Sequence, residues 1–295
     1  MPDFKTVYEC TRYLNGKAPH PQASLVKLEN PSPEHGAVKF DFYVLLLIEA
    51  CPDESSCCGR KPYDYSDATL VFLTPGETFR LNGEKALPSK GYLLAFHPDL
   101  LSGTTLKSHI DRYTFFRYRK EESLHLSLRE KEKITRCLGN IEEELYHPID
   151  VHSRTLLSRH IELLLDYCTR YYERQFITRE NQNKRIVGKM ERLLDEYIES
   201  GRLQGGQLPT PDYLAGELNL STAYFVDLLK WETGKTPEQA FQLKRLETAR
   251  RMLLKPGTTP AAVARQLGYP NVQHFSLVFK KITGVAPGDY RNSQN

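Results

Sequence analysis

The sequence has no long apolar segment. No stretch approaches the roughly 18 consecutive apolar residues that a membrane-spanning helix needs, and the residues after Met1 do not form the apolar run of a secretory signal. The six cysteines stand at irregular spacing and form no disulfide framework. These absences predict a cytoplasmic protein with reduced thiols and no membrane partner.

Neither sign of charge dominates the whole chain, because 40 Lys and Arg are balanced by 37 Asp and Glu, giving a net charge of +3. The distribution is uneven. From residue 181 onward there are 16 Lys and Arg and 11 Asp and Glu, which is +5 and leaves −2 for residues 1–180. A positive surplus in one part of a chain favours phosphate contacts there. At about 150 residues for each domain, a chain of 295 residues has room for two domains.

The last third of the chain, from Thr210 to Arg291, contains one pattern twice. The copies are offset by 49 residues at first and by 50 residues later, so they differ by one inserted residue. The matched residues are Thr210-Pro211 with Thr259-Pro260, Leu214-Ala215 with Val263-Ala264, Leu218 with Leu267, Phe225 with Phe275, Lys230 with Lys280, Thr233-Gly234 with Thr283-Gly284, and Pro237 with Pro287. A turn inside duplicated structure tolerates such an insertion.

Each copy carries the signals of helix, tight turn and helix. A Thr-Pro pair starts the first helix, because the Thr side chain accepts a hydrogen bond from a free first-turn amide and Pro lacks an N–H that would be unused there. Asn219 and Gly268 supply the left-handed turn conformation, and the second helices end at Gly234 and Gly284. One copy alone would fit a structural hairpin equally well. Two copies in register, each followed by basic residues, favour helix-turn-helix units whose second helices fit the major groove of DNA.

The second copy has a dense motif. It runs Val263-Ala264-Arg265-Gln266-Leu267-Gly268-Tyr269-Pro270-Asn271-Val272-Gln273-His274-Phe275-Ser276, then Phe279-Lys280-Lys281, Gly284, Pro287 and Tyr290-Arg291. This motif resembles the signature of the AraC family of bacterial transcription regulators. The resemblance implies a DNA-binding domain at 184–295, with two helix-turn-helix units at about 210–234 and 259–284. It also implies a homodimer that binds double-stranded DNA, and RNA polymerase as a partner if the protein is an activator.

The resemblance implies one long helix between the two units, and the sequence predicts that helix independently. The segment from Pro237 to Leu254 has an apolar pattern, formed by Ala240, Phe241, Leu243, Leu246, Ala249, Met252 and Leu253. Eighteen residues span about 27 Å at 1.5 Å for each residue. That length is close to the roughly 34 Å between successive major-groove faces of DNA.

The first 125 residues have a strand-like pattern. Short apolar or alternating runs, bounded by turn residues, predict a sandwich or a barrel: Ala23 to Leu28, Phe40 to Ile48, Thr69 to Leu73, Thr78 to Leu81 and Tyr92 to Phe96. The segment from Asp67 to Phe79 is similar to the cupin-like sensory domain of many AraC-type regulators. We therefore expect an α+β fold with a cupin-like sensory domain at 1–125 that responds to a small molecule.

A cupin-like domain also raises the alternative of a metalloenzyme. A catalytic metal site of that type uses two His one residue apart, together with a Glu and a further His. No H-x-H occurs in the chain, and the comparable strand has Phe40-Asp41-Phe42. His97 and His109 are better explained as surface or packing residues. The sequence therefore predicts a protein that is not an enzyme and has no metal or other cofactor.

Three cysteines, Cys51, Cys57 and Cys58, lie close together in one predicted loop. Thiolates bind soft metals and react with oxidants, so a thiol-responsive or metal-responsive regulator is an alternative hypothesis. Adjacent side chains diverge, which makes the vicinal pair a poor chelator of one ion. A loop with incidental cysteines is the simpler interpretation.

Between the two predicted domains, residues 126–178 indicate a helical hairpin. Apolar residues at spacings of 4, 3 and 4 form its first stripe, Ile134, Leu138, Ile141 and Leu145. A second apolar face comprises Leu156, Leu157, Ile161, Leu164, Leu165, Cys168 and Tyr172. The hairpin can pack on the β-domain or form a homodimer interface. The polar segment from Arg179 to Lys184 is the candidate linker, and a helix from Ile186 to Ile198 is expected to open the DNA-binding domain.

Early residues of the second helix of a helix-turn-helix contact base edges. The family motif places Ala223, Val226, Asp227, Val272, Gln273, His274, Ser276 and Leu277 at these base-reading positions. The candidate phosphate contacts are Lys230, Lys280, Lys281 and Arg291. The family often has Arg where this chain has Asp227 and Leu277, so we expect little direct recognition of guanine. Gln273 can pair with adenine, and Val226 or Val272 can contact a thymine methyl group.

Overall fold

The structure is a computed structural model that describes residues 1–29, 37–50, 57–80, 87–88 and 90–290. The chain divides into two compact units, Met1–Arg179 and Glu180–Asn295. The first unit combines β-sheets with helices, and the described residues of the second unit are helices and loops. The architecture is therefore α+β, with the helix-turn-helix pattern in the all-helical unit.

The described residues of the first unit form two open sheets. Its strands are β1 (Asp3–Phe4), β2 (Ala23–Glu29), β3 (Val38–Phe40), β4 (Tyr43–Ala50), β5 (Ala68–Leu73), β6 (Glu77–Phe79), β7 (Lys90–Phe96) and β8 (Leu124–Leu126). The larger sheet has the order β2-β7-β4-β5-β8 and is antiparallel throughout. In the smaller sheet, with the order β1-β3-β6, β3 pairs in parallel with β1 and antiparallel with β6.

The larger sheet is buried on both faces. Val44, Leu46 and Ile48 of β4 belong to a core cluster that also contains Phe40 and Phe79 of the smaller sheet. On the other face, Phe72 of β5 packs against Phe115, with 4.4 Å between ring centroids. Burial on both faces explains why β4 is a continuous apolar run instead of an alternating one.

Four of the five predicted strand runs correspond to a single strand, but a closed barrel does not form among the described residues. The run predicted from Phe40 to Ile48 is two strands, because the chain bends at Asp41-Phe42 between β3 and β4 and joins different sheets. The strand predicted to reach Leu81 ends at Phe79, and Leu81 lies outside the described residues. The two sheets share one hydrophobic core.

The helices of the first unit are α1 (Val7–Tyr13), α2 (Thr105–His109), α3 (Leu128–Tyr146) and α4 (Ser153–Thr178), with short 3-10 turns at Cys57–Gly59, Pro98–Leu101, Ile110–Arg112, Thr114–Arg117 and Lys120–Glu122. The whole predicted α3 stripe is buried, as is every member of the predicted α4 face except Leu156. Packing within the unit therefore accounts for most of the apolar pattern. Three large apolar side chains of α4 are exposed, namely Leu156, Leu163 and Ile177.

A buried polar cluster lies beside the larger sheet. Arg179 donates two hydrogen bonds to Asp64, from Nε to Oδ1 at 2.9 Å and from Nη2 to Oδ2 at 2.6 Å. Nδ1 of the fully buried His125 lies 3.0 Å from Oγ1 of Thr69, and its Nε2 lies 4.0 Å from Oδ2 of Asp64. Burial, together with the positive charge of Arg179, lowers the pKa of His125 to about 3, against the opposing effect of Asp64. His125 is therefore neutral at pH 7.

The candidate linker from Arg179 to Lys184 is not an exposed connector. Arg179 is only 4% exposed because it pairs with Asp64, and α5 spans Glu180–Glu199, starting six residues before the predicted Ile186. Asn183, although polar, is 1% exposed and its Nδ2 donates to Oε1 of Glu232 at 3.0 Å. Two of the six polar residues are thus buried by hydrogen bonds, whereas Glu180, Asn181 and Lys184 are exposed.

The described residues of the second unit form α5 and five further helices around one core. These are α6 (Pro211–Glu217), α7 (Thr222–Thr233), α8 (Pro237–Leu253), α9 (Pro260–Gln266) and α10 (Val272–Thr283), with a 3-10 turn at Arg202–Gly205. The core includes Leu194 of α5, Phe225 of α7, Phe241 and Leu246 of α8, and Phe275 of α10. The joining helix α8 ends one residue before the predicted Leu254. No helix within the described residues is long and apolar enough to cross a membrane.

We predict that the stability of the first unit falls as the pH is lowered through the ordinary range of histidine titration. Between pH 6.5 and pH 3 the unfolded chain binds a proton at His125 and the folded chain does not, so the free energy of unfolding decreases with falling pH. The expected decrease from this residue is about 1 kcal/mol for each pH unit between pH 6 and pH 5. Urea unfolding followed by far-ultraviolet circular dichroism measures it.

His125→Asn keeps a group that can hydrogen-bond Thr69 but does not titrate, so its unfolding free energy should depend less on pH than that of the wild type. His147→Asn changes an exposed histidine and serves as the matched control. A His125→Asn profile as steep as that of the control would contradict the prediction.

We also predict unequal costs for two Gly→Ala substitutions in the second unit. Gly234 and Gly268 have φ of 68° and 69°, so either Ala pays about 1–2 kcal/mol for a left-handed backbone. A Cβ at Gly234 meets nothing within 4 Å, whereas at Gly268 it would lie 2.4 Å from the backbone oxygen of Leu203. Gly268→Ala should therefore lower the free energy of unfolding more. Fluorescence of Trp231, the single tryptophan, measures this, and equal losses would refute the steric argument.

Candidate nucleic-acid interface

The first helix-turn-helix consists of α6 and α7. Oγ1 of Thr210 accepts a hydrogen bond from N of Tyr213 at 3.1 Å, which caps α6. Asn219 has φ of 56° in the turn, and α7 ends at Gly234 in the left-handed conformation. The helices are also joined by a side-chain contact, in which Oγ1 of Thr222 donates to Oδ1 of Asp212 at 2.6 Å. The predicted start, turn and end signals are all confirmed.

The second helix-turn-helix, α9 and α10, repeats these features. Oγ1 of Thr259 accepts from N of Ala262 at 3.2 Å, and Gly268 takes the left-handed turn position. Oδ1 of Asn271 accepts from N of His274 at 2.7 Å and so caps α10. The sequence duplication is therefore a duplication of the structure. We call α7 and α10 the recognition helices.

Each recognition helix has an inner face and an outer face. Phe225, Leu228 and Leu229 of α7 are buried, as are Phe275 and Phe279 of α10. The residues between them are left on the outer side. Burial of the aromatic face thus decides which side chains are available to a ligand of the helix.

On α7 the three predicted base-reading residues, Ala223, Val226 and Asp227, are partly exposed, and Lys230 is exposed. Trp231, which sequence reasoning did not include, is 43% exposed near the end of the same helix. The charged residues of α7 are Asp227, Lys230 and Glu232, so the helix carries −1.

On α10, Gln273, His274 and Leu277 are exposed, and Leu277 is 72% exposed. Ser276 is partly exposed, and Val272 is partly buried against the core. The predicted phosphate contacts Lys280 and Lys281 are both exposed and give α10 a charge of +2. The remaining phosphate candidate, Arg291, lies outside the described residues.

Arg245 of α8 holds the second turn in place, and sequence reasoning missed it. It is 3% exposed, and its Nη2 donates to the backbone oxygen of Leu267 at 2.7 Å. Its guanidinium carbon lies 3.9 Å from the centre of the Tyr269 ring, a close cation–π contact. A signal was present, because Arg245 stands midway between the apolar Phe241 and Ala249 and therefore on their buried face.

The alternative sites predicted from the sequence receive little support. Cys58 is 4% exposed, and burial raises its pKa to about 11, so its thiol is protonated and unreactive at neutral pH. Cys51 and the side chain of Cys57 lie outside what the structure describes. His97 accepts a backbone hydrogen bond from Asp99, and His109 Nδ1 lies 3.6 Å from Glu162 Oε1. Within the described ranges, no three His, Cys, Asp or Glu side chains converge as a metal site.

The similarity to known proteins lies in the second unit. Residues 214–293 match the family described as a helix-turn-helix domain. The uncharacterized HTH-type transcriptional regulator YobQ of Bacillus subtilis is 39% identical over 71 residues, which are 24% of this chain and 30% of that protein. The MmsAB operon regulatory protein of Pseudomonas aeruginosa is 37% identical over 78 residues, 26% of this chain and 25% of that protein.

A putative AraC-like transcription regulator of Streptomyces lividans is 32% identical over 78 residues, which are 26% of each chain. The matched segments thus span between 25% and 30% of the length of these relatives. Among solved structures, the C-terminal domain of AraT, a response regulator from Geobacillus stearothermophilus, is 31% identical with a TM-score of 0.30, covering 35% of this chain and 84% of that one. Residues 214–293 of this chain are therefore similar to the helix-turn-helix domains of transcriptional regulators, one of them AraC-like.

Proposed function

We propose that the protein binds double-stranded DNA at specific sequences, regulates transcription and catalyses no reaction. One observation carries the proposal: the chain has two capped helix-turn-helix units in which each recognition helix buries its aromatic face and exposes a Lys at the matching position, Lys230 or Lys280. A helical hairpin that served only packing would have no need for an exposed Lys at the matching position of both recognition helices. The α8 helix of 17 residues, about 25 Å long, suits units that enter adjacent turns of the major groove.

The two recognition helices would differ in their contribution to binding. On α10, the residues that would face base edges are Gln273, His274, Ser276 and Leu277. Val272 would lie at the edge of this base-contacting surface. Lys280 and Lys281 would contact phosphates, for which a cation needs little geometric precision. The terminal Arg291 is a further phosphate candidate.

On α7, Ala223 and Val226 would approach the bases, and Lys230 would contact phosphate. Asp227 would repel phosphate and could accept a hydrogen bond only from a donor such as the cytosine amino group. Because α7 carries −1 and α10 carries +2, we expect the second helix-turn-helix to supply more of the electrostatic attraction to DNA.

The first unit would act as a sensory domain for a small molecule, with its two sheets as an open, cupin-like sandwich. The α3–α4 hairpin would mediate a homodimer through the exposed Leu156, Leu163 and Ile177, which lie at multiples of seven residues along α4 and therefore on one side of it. An effector would then favour one arrangement of paired DNA-binding units over another. Such a regulator would work in the cytoplasm, and RNA polymerase would be a partner if it activates transcription.

Binding to DNA from upstream of the protein's own gene is the direct test. We expect fluorescence anisotropy of a labelled fragment to give an affinity at least about a thousandfold above that for random DNA at the same salt concentration. Random competitor DNA that displaces the fragment as well as the unlabelled fragment does would contradict sequence-specific function.

We predict that changing Lys280 and Lys281 to Ala weakens binding to every DNA sequence. Two fewer phosphate contacts should reduce the magnitude of the slope of log K against log salt concentration by about 1 to 2. Anisotropy titrations at several salt concentrations measure the slope.

The matched control changes Lys17 and Lys107 to Ala, two exposed lysines of the first unit, and removes the same charge. Its slope should stay close to that of the wild type. If both double variants gave the wild-type slope, α10 would not contact phosphate.

A further inference from the structure

The most exposed large apolar side chain in the described part of the second unit is Leu277, at 72%. It lies in the middle of α10, whose other face holds the fully buried Phe275 and Phe279. A side chain that exposed contributes little to folding. Its full burial by a ligand would recover the hydrophobic free energy that the folded protein leaves unused.

The neighbours of Leu277 on the outer face narrow the choice of ligand. Gln273 precedes it by one helical turn, with its Cβ about 5–6 Å away. Ser276 lies beside it, and Lys281 follows one turn later. All twelve residues of α10 lack Arg, Asp and Glu, while two Lys occur in its last turn.

Each base pair presents a different pattern of hydrogen-bonding and methyl groups in the major groove and is therefore recognised by different side chains. Guanine is read best by Arg or Lys through two hydrogen bonds, and the cytosine amino group by a carboxylate. The first two turns of α10 offer neither. Gln pairs with N6 and N7 of adenine, and an apolar side chain contacts the C5 methyl group of thymine. Gln273 is a side chain of the first kind, and Leu277 is one of the second kind.

We propose that α10 reads A·T base pairs, with Gln273 bound to adenine and Leu277 packed against the methyl group of a thymine one or two base pairs away. This inference rests on the proposed DNA binding. The spacing follows from the separation of the two Cβ atoms, which is between one and two times the rise of 3.4 Å for each base pair.

The first recognition helix would read a different sequence. At the offset of 50 residues, Leu277 matches Asp227, Gln273 matches Ala223 and Ser276 matches Val226. The second helix-turn-helix therefore has the apolar Leu277 at the position where the first has the carboxylate of Asp227. The target would have two unlike halves, and an A·T preference would be confined to the half bound by α10.

Replacement of thymine by uracil in the DNA tests the inference, because it removes only the methyl group. The full-length chain is first used to select its site from random DNA, and each thymine of that site is then replaced in turn. At one thymine we expect binding of the wild type to weaken about fourfold, the value of one buried methyl group. Leu277→Ala should bind the thymine and uracil sites equally at that position.

Leu243→Ala removes a leucine that is 42% exposed on α8 and should keep the fourfold difference of the wild type. Leu277→Arg should shift the selected base pair at the same position towards G·C. A chain that selects a specific site but tolerates uracil at every thymine would overturn the inference and leave the proposed function standing. A chain that selects no sequence would overturn both.

Discussion

Each recognition helix buries an aromatic face, and the base contacts proposed for this protein depend on that burial. Phe225 and Phe275 are at most 1% exposed, so rotation of either helix about its axis would expose an aromatic side chain to water at a cost of about 1.5–3 kcal/mol. The helix ends are fixed as well, by a side-chain cap at the start and a left-handed Gly at the end. Because the rotation of each recognition helix about its axis and the positions of its ends are both fixed, its outer side chains have one arrangement.

Much of this arrangement was predictable because its causes are local in the chain. A cap acts over three residues, a left-handed turn is a property of one residue, and helical periodicity is visible within two turns. The two helix-turn-helix units and the joining helix therefore follow from Thr210, Asn219, Gly268 and their neighbours. The outer positions of α10 follow in turn, since a helix that buries Phe275 and Phe279 leaves Gln273 and Leu277 on the other side.

The parts that sequence reasoning missed depend on partners that are distant in the chain. Arg245 is buried because it meets Leu267, 22 residues away, and Arg179 because it meets Asp64, 115 residues away. In the polar segment that the sequence predicts as a linker, such hydrogen bonds bury Arg179 and Asn183, while the other residues are exposed or partly exposed. The same limit explains the division of the run from Phe40 to Ile48 into two strands. Apart from Asp41 its sequence is apolar, and the pairing of β3 and β4 in different sheets separates the two strands.

Comparison of the two helix-turn-helix copies distinguishes positions that folding constrains from positions that DNA binding would constrain. The two copies share the Thr caps, a left-handed turn, the final Gly and one buried Phe, where a change would cost folding free energy. They disagree at the outer positions, where Asp227 stands against Leu277 and Ala223 against Gln273. Outer residues contribute little to stability, so folding does not constrain their chemistry. A carboxylate accepts a hydrogen bond from a base amino group, whereas an isobutyl group contacts the methyl group of thymine. Two units of the same shape therefore present unlike surfaces to DNA, and a symmetric scaffold becomes suited to an asymmetric target.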